Sequence, residues 1–306
     1  MVTKNIKLPQ NRIISIVTPS FNQGHFIEET ITSVLDQQFP NLEYIIVDGG
    51  STDNTVEIIK KYQKHLKFWV SEKDSGQANA INKGLGHCTG EIFNWLNSDD
   101  YLEAGALEKI ATAFEDKTVQ MVAGKVRNFS VMQEDFVPNQ NLTAEGLMCW
   151  QPGVKFIQPG VWLRRTGIEK CRGIDEQFHY AFDWDLYIRY LYHFPEVKEI
   201  GDLLVHFRLH ENSKTTAFSQ KFSEEESNII LKIKSLQAFS NLHDACDYKI
   251  QKASWTQIIK QESAANYNWL SKTLKLMSAL PDHKRVSFSR QTAGAIKAFL
   301  RNEVID

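Results

Sequence analysis

The sequence predicts an α/β protein: a mostly parallel sheet flanked by helices, with a helical C-terminal extension. Three observations carry this. Short apolar runs alternate with apolar residues at helical spacing from Ile13 to Phe114. Clusters of glycine, asparagine and aspartate close those runs, where strands end and chains turn. Beyond residue 215 the chain becomes helical and polar.

Taken in order, residues 13–18 form a strand, and after Pro19-Ser20-Phe21-Asn22 the residues Ile27, Ile31, Val34 and Leu35 mark a helix that stops before Pro40. Residues 42–47 are a buried strand ending in Asp48-Gly49-Gly50-Ser51-Thr52-Asp53, and Val56, Ile59 and Tyr62 mark a second helix. Phe68-Trp69-Val70 is a short strand, and Ala78, Ile81 and Leu85 give the third helix. Residues 91–96 form a strand delivering Asn97-Ser98-Asp99-Asp100, before a fourth helix at Leu107, Ile110, Ala111 and Phe114. This alternation requires right-handed crossovers and places the strands' carboxyl ends on one edge, where open sheets bind ligands. Phe218, Phe222, Ile229, Ile230, Ile233 and Leu236 fit one long helix, and residues 254–280 another before Pro281. The expected division is a catalytic domain over 1–215 and a helical extension over 216–306.

Composition suits an ordinary enzyme. A chain of 306 residues, 42% hydrophobic, can build a sizeable core. A formal net charge of -2 argues against nucleic acid as the main partner. No run approaches the 18 or so apolar residues of a membrane span, and the polar N-terminus does not match a signal peptide, so the cytoplasm is the expected location. Cys88, Cys149, Cys171 and Cys246 are scattered without a Cys-x-x-Cys pair and suggest neither zinc nor a disulfide framework.

The chemistry concentrates at the strand ends. Adjacent carboxylates repel, so Asp99-Asp100 at a buried strand's end points to a cation or arginine that offsets the repulsion. Asp48 ends a neighbouring strand; the alternative is that it caps the next helix, though Asp53 and Thr55 lie closer to that helix. In residues 205–213, alternation of Val205, Phe207 and Leu209 puts His206, Arg208 and His210 on the opposite face. Asp183 and Asp185 sit two residues apart on an expected helix, about 200° around its axis, and cannot serve one site. Arg189, four residues on, gives Asp185 a partner on what the spacing suggests is a solvated face, leaving Asp183 free to act as a base.

The ordered motifs Val17-Thr18-Pro19-Ser20-Phe21-Asn22, Val47-Asp48-Gly49-Gly50-Ser51-Thr52-Asp53, Asp74-Ser75-Gly76, Asn82-Lys83-Gly84, Asn97-Ser98-Asp99-Asp100, Gln158-Pro159-Gly160-Val161 and Phe182-Asp183-Trp184-Asp185-Leu186 resemble a family 2 glycosyltransferase of the GT-A fold. The resemblance covers roughly residues 12–215. It implies an inverting transferase of hexosyl type, moving sugar from a nucleotide-diphosphate sugar, UDP favoured, to a saccharide or lipid-linked saccharide in bacterial polysaccharide or glycoconjugate synthesis. It implies that Pro19, Phe21, Asn22, Asp48, Asp74, Gly76, Asn82, Lys83 and Asp99 bind the nucleotide. Asp99, Asp100 and His210 are the implied ligands of Mn²⁺ or Mg²⁺, with the choice between the two aspartates open. Gln158, Trp184 and Arg208 fall in the acceptor or diphosphate region, and Asp183 is the implied base. Asn97 and Phe182 depart from the family's usual acids, and Ile81 stands where an arginine is frequent. The basic tail, with Lys272, Lys275, Lys284, Arg285, Arg290, Lys297 and Arg301, suits a helical cap, or a second role as a peripheral contact at the inner face of a membrane.

Rival classes fit less well. A dinucleotide-binding oxidoreductase needs Gly-x-Gly-x-x-Gly after the first strand, and a nucleotidyltransferase needs a glycine- and arginine-rich phosphate loop; neither is present. A non-catalytic sugar-nucleotide binding module shares every motif and differs only in turnover.

Overall fold

A computed structural model describes residues 12–210 and 219–250. The helix expected over 254–280 and the basic tail lie outside these residues. The chain forms two compact units, Met1–Ala144 with Val154–Phe222 and Glu145–Gly153 with Ser223–Asp306.

The first unit is built on a nine-stranded sheet. Strands β1 (Ile14–Ser20), β2 (Leu42–Asp48), β3 (Phe68–Ser71) and β4 (Ile92–Trp95) pair in parallel. Their crossovers are α1 (Ile27–Leu35), α2 (Thr55–Tyr62) and α3 (Gln77–Leu85). The sheet continues through β5 (Tyr101–Leu102), β6 (Met121–Phe129), β7 (Glu134–Pro138), β8 (Val161–Arg164) and β9 (Val197–Arg208) in the order β3-β2-β1-β4-β8-β6-β9-β5, with β7 on β6. β8 runs antiparallel to β4 and β6, whereas β6 and β9 are parallel.

β1 is buried along its whole length, as a central strand covered on both faces must be. On one face Ile14, Ile16, Tyr44, Ile46 and Ile92 pack with Ile27, Ile31, Val34, Ile58 and Ile59 of α1 and α2 and with Leu107 and Ile110 of α4 (Ala106–Ala113). Burying one such aliphatic side chain contributes roughly 1.5–3 kcal/mol, so this layer sets the frame. Further along lie α5 (Ala144–Cys149), α6 (Arg165–Lys170) and α7 (Phe182–His193).

In the second unit α8 (Ser219–Ser235) buries Ile229, Ile230 and Ile233. Cys246 lies 3.9 Å from Met148 of α5, which brings the segment 145–153 into this unit. Among the described residues no helix is long and apolar enough to cross a membrane.

Candidate active site

The turns after β1 and β2 are tied together by the polar residues that end both strands. The Asn22 backbone N–H donates to Ser51 Oγ at 2.7 Å, and Asn22 Oδ1 accepts from the Thr52 N–H at 2.9 Å. Gln23 and Gly24 donate to Thr55 Oγ1 and Asp53 Oδ2, both at 2.9 Å. Asn22 holds this turn with a φ of 52°, a conformation asparagine tolerates. Its side-chain oxygen is therefore spent on the neighbouring loop. Pro19 is buried, while Phe21 stands 59% exposed at the strand end. A large aromatic left in water beside a braced turn is a ready platform for a planar ring.

Asp48 is completely buried. Its carboxylate accepts from Gly50 N at 3.1 Å, Ser51 N at 2.9 Å, Ser51 Oγ at 2.5 Å and Ser71 Oγ at 2.6 Å. It shapes the loop after β2 rather than presenting an open oxygen. Nor does it cap α2, since Asp53 Oδ1 accepts the first-turn Thr55 N–H at 3.0 Å.

The loop before α3 is turned by Asp74, whose Oδ1 accepts Gly76 N–H at 2.8 Å. Gly76, with φ +115°, occupies a conformation closed to other residues at little cost, and opens the helix. Two expected nucleotide contacts on this helix are otherwise engaged. Lys83 Nζ pairs with Glu72 at 2.9 Å on the surface, which is the solvated alternative for that lysine. Asn82 donates to Ile174 O at 2.9 Å and Glu176 Oε1 at 2.8 Å, and accepts from Ile174 N at 3.2 Å.

β4 and β9 bring the acidic cluster and the histidine together. β5 pairs antiparallel with β9, Tyr101 opposite His206, so the chain just past β9 returns over residues 97–100. His210 Nε2 lies 3.0 Å from Asp99 Oδ2 although 111 residues separate them, and both side chains are about one-fifth exposed. Asp100 has the opposite environment. It is fully buried, its oxygens accept Arg208 N–H at 3.0 Å and Asn97 Nδ2 at 3.3 Å, and burial, then the charge of Asp99, hold its carboxyl well above the usual range. The two aspartates therefore differ in environment: Asp99 faces His210 and is partly exposed, whereas Asp100, expected as a ligand, is buried and pins β9 to the cluster.

Arg208 is also structural in this conformation. Its Nε donates to Asp99 O at 3.1 Å, it pairs with Glu29, and its guanidinium sits over Phe129 and Phe26 at 4.7 and 5.0 Å from the ring centroids. His206 turns instead to Glu103, 2.7 Å from Nε2, and stacks on Tyr101. Among the described residues no three His, Cys, Asp or Glu side chains cluster as a metal cage. One carboxylate and one imidazole nevertheless form a donor set that suits a divalent cation completed by diphosphate oxygens and water.

Asp183 lies in the first turn of α7, where Ala181 is the N-cap, so it is not the capping residue; its Oδ1 accepts Trp184 N–H at 2.7 Å. The start of α7 packs on β4, with the ring centroid of Phe182 6.1 Å from that of Trp95, the last residue of that strand. Asp185 departs from expectation: its face is not solvated. It is fully buried and paired with Arg189, Nε at 2.9 Å and Nη2 at 2.6 Å from Oδ2. The helix packs on both sides, so the four-residue spacing here marks an internal ion pair. Trp184 is likewise core, 1% exposed, and Gln158 is buried, donating to Asn94 Oδ1 at 2.9 Å and Trp95 O at 3.1 Å across the β4–β8 joint. Neither presents an acceptor surface in this conformation.

Sequence reasoning missed Gln77, whose Nε2 donates to Asn97 Oδ1 at 2.8 Å and joins α3 to the acidic cluster. Its position at the first turn of an expected helix was the available signal. Glu29 and Phe26, partners of Arg208, had none, being about 180 residues distant.

The mostly parallel sheet flanked by helices is shared with solved structures of the GT-A fold. Staphylococcus aureus TarS in complex with UDP-GlcNAc superposes with a TM-score of 0.65 at 17% identity, covering 95% of this chain and 89% of that one. The mannosyltransferase PcManGT of Pyrobaculum calidifontis, in complex with GDP-Man and Mn²⁺, gives 0.62 at 19% identity, covering 96% and 86%. The chain belongs to glycosyl transferase family 2, whose sequence model matches residues 15–173. Among its relatives, TuaG of Bacillus subtilis, a glycosyltransferase named for teichuronic acid biosynthesis, is 37% identical over 129 residues. That match spans 41% of this chain and 50% of TuaG. GlyG, a glycosyltransferase of Streptococcus pneumoniae, is 29% identical over 45% of this chain and 48% of its own length.

Proposed function

We propose that the protein is an inverting, cation-dependent glycosyltransferase that moves a hexose from a nucleoside-diphosphate sugar, UDP-linked in preference to GDP-linked, to a saccharide or lipid-linked saccharide hydroxyl in bacterial polysaccharide or glycoconjugate synthesis. The observation that carries this reading is the pairing of Asp99 with His210 at the carboxyl edge of the sheet, 3.0 Å apart and accessible, next to the strand against which α7 begins. TuaG, named for teichuronic acid biosynthesis, and structural neighbours in complex with UDP-GlcNAc, or with GDP-Man and Mn²⁺, support it.

In this mechanism Phe21 stacks on the base, and the loop organised by Asp48 and Asp53 frames it. Asp99 and His210 would hold Mn²⁺ or Mg²⁺, which when bound supplies positive charge beside the diphosphate. Asp183 accepts the proton of the acceptor hydroxyl as its oxygen forms a bond to the anomeric carbon. The bond from that carbon to the diphosphate breaks on the opposite face, so configuration inverts without a covalent intermediate. General-base assistance contributes about 10²- to 10⁴-fold.

Incubation with a panel of UDP- and GDP-sugars, with Mn²⁺, Mg²⁺ or chelator, tests the reading through release of nucleoside diphosphate. Slow hydrolysis of a UDP-sugar that stops in chelator is expected. No release from any donor contradicts a transferase, and equal release in chelator contradicts the cation.

A further inference from the structure

We propose that Glu176, held by Asn79 and Asn82, is a positioning residue that fixes the Asp183-bearing segment against α3, the helix that Gln77 joins to the acidic cluster. This rests on the reading of Asp183 as the base. Glu176 lies in the loop between α6 and α7, seven residues ahead of Asp183. Each of its carboxylate oxygens receives one amide: Oε2 from Asn79 Nδ2 and Oε1 from Asn82 Nδ2, both at 2.8 Å. Asn79 and Asn82 are three residues apart and so share one face of α3.

The same loop is grasped from two sides. From α3, Asn82 also bonds both backbone groups of Ile174. Gly173, with φ +75°, lets the backbone come within reach, since a Cβ there would lie 3.3 Å from Asn82 Oδ1. From α7, Arg189 donates to Cys171 O and to Gly173 O at 3.2 Å while paired with Asp185. A short stretch of backbone, 171–176, is thereby fastened to the helix that bears Asp183 and to the helix whose first turn meets Asn97 through Gln77. Farther on, His179 Nδ1 lies 3.4 Å from where a Cβ on Gly76 would sit, so the segment stays against the start of α3. Two carboxylate–amide bonds at the exposed lip of this arrangement hold the segment that leads to Asp183 against the helix tied to the acidic cluster. Displacements of about 1 Å from such remote changes cost up to 10²-fold in rate.

The test is a reciprocal exchange. In E176Q glutamine keeps one oxygen and adds a donor, so the Asn79 amide keeps a partner only by turning over and giving up its contact with the Ser75 N–H. In N79D two carboxylates meet. In N79D/E176Q the new amide of residue 176 donates to residue 79 while its oxygen still accepts from Asn82, and the bridge is restored with its polarity reversed. Steady-state transfer and UDP affinity are measured for parent, E176Q, N79D, the double variant and D183N. Expected are a fall of about 10-fold in kcat for E176Q with UDP affinity within twofold, a fall for N79D, and recovery to within about threefold of the parent in the double variant. Parental kcat in E176Q overturns the proposal, as does a loss that the double variant does not recover. Parental turnover in D183N refutes the base reading separately, whatever E176Q does.

Discussion

Replacing Asp185 by asparagine removes one charge from an ion pair sealed inside the protein, and its effect should fall on stability rather than on chemistry. The Asp185 side chain has no exposure and that of Arg189 has 8%, with Oδ2 accepting two guanidinium bonds at 2.9 and 2.6 Å. The other donors of Arg189 are committed to the carbonyls of Cys171 and Gly173 and cannot follow a weakened partner. Breaking a buried pair on one side costs about 3–5 kcal/mol, against about 0.3–0.5 kcal/mol for a solvated pair four residues apart on a helix. The substituted amide keeps one acceptor oxygen, so the lower end, about 3 kcal/mol, is expected. Urea titration followed by tryptophan fluorescence reads this as a lower midpoint, with the folded protein retaining transfer within a few-fold. A cost below about 0.5 kcal/mol would refute the internal pair, and loss of turnover without loss of stability would exchange the roles of Asp183 and Asp185.

Glu43 gives a pH signature. Burial alone would raise its carboxyl, yet hydrogen bonds from Lys67, Ser15 and Thr89 outweigh that and lower it from 4.5 to about 2. A depressed carboxylate stabilises the fold fully above pH 4.5 and loses that contribution as pH falls toward 2, so Glu43→Gln should cost on the order of 1–3 kcal/mol at pH 7, after allowance for solvent screening, and progressively less below pH 4.5. Thermal melts of both proteins between about pH 3 and 7 check it, and a pH-independent difference would count against it. Phe21→Ala should weaken UDP binding by about 1–3 kcal/mol, the usual worth of a base stacked on an aromatic ring, with the melting temperature unmoved because Phe21 is mostly exposed. Calorimetry with UDP measures this, and unchanged affinity would remove Phe21 from the base site.

The parallel half of the fold was legible because each strand there is short, apolar and closed by a turn signal: the expected strand at 42–47 is observed at Leu42–Asp48, and the helix marked by Ala78, Ile81 and Leu85 spans Gln77–Leu85. Local pattern could not show the antiparallel half. β8 and β6 are neighbours through pairing that joins Met121 to Leu163, and nothing in either segment names the other. The site divides the same way. Asp99 stands out by the chemistry of adjacent carboxylates and His210 by the family resemblance, and β5 and β9 bring their side chains 3.0 Å apart. Lys83, Asn82, Gln158 and Trp184 stand out by motif alone, and each is engaged by a partner or by packing that only the tertiary structure supplies. Asp185 misled because an i,i+4 acid–base pair has the same spacing on a wet face and inside a core.

Whether Asp183 is the base of a transferase is tested most directly by Asp183→Asn, since asparagine preserves shape and local hydrogen bonding while giving up the ability to take a proton. Single-turnover transfer should fall by about 100-fold or more, with UDP affinity and melting temperature unchanged. Transfer by the Asp183→Asn protein at the parental rate would contradict the account.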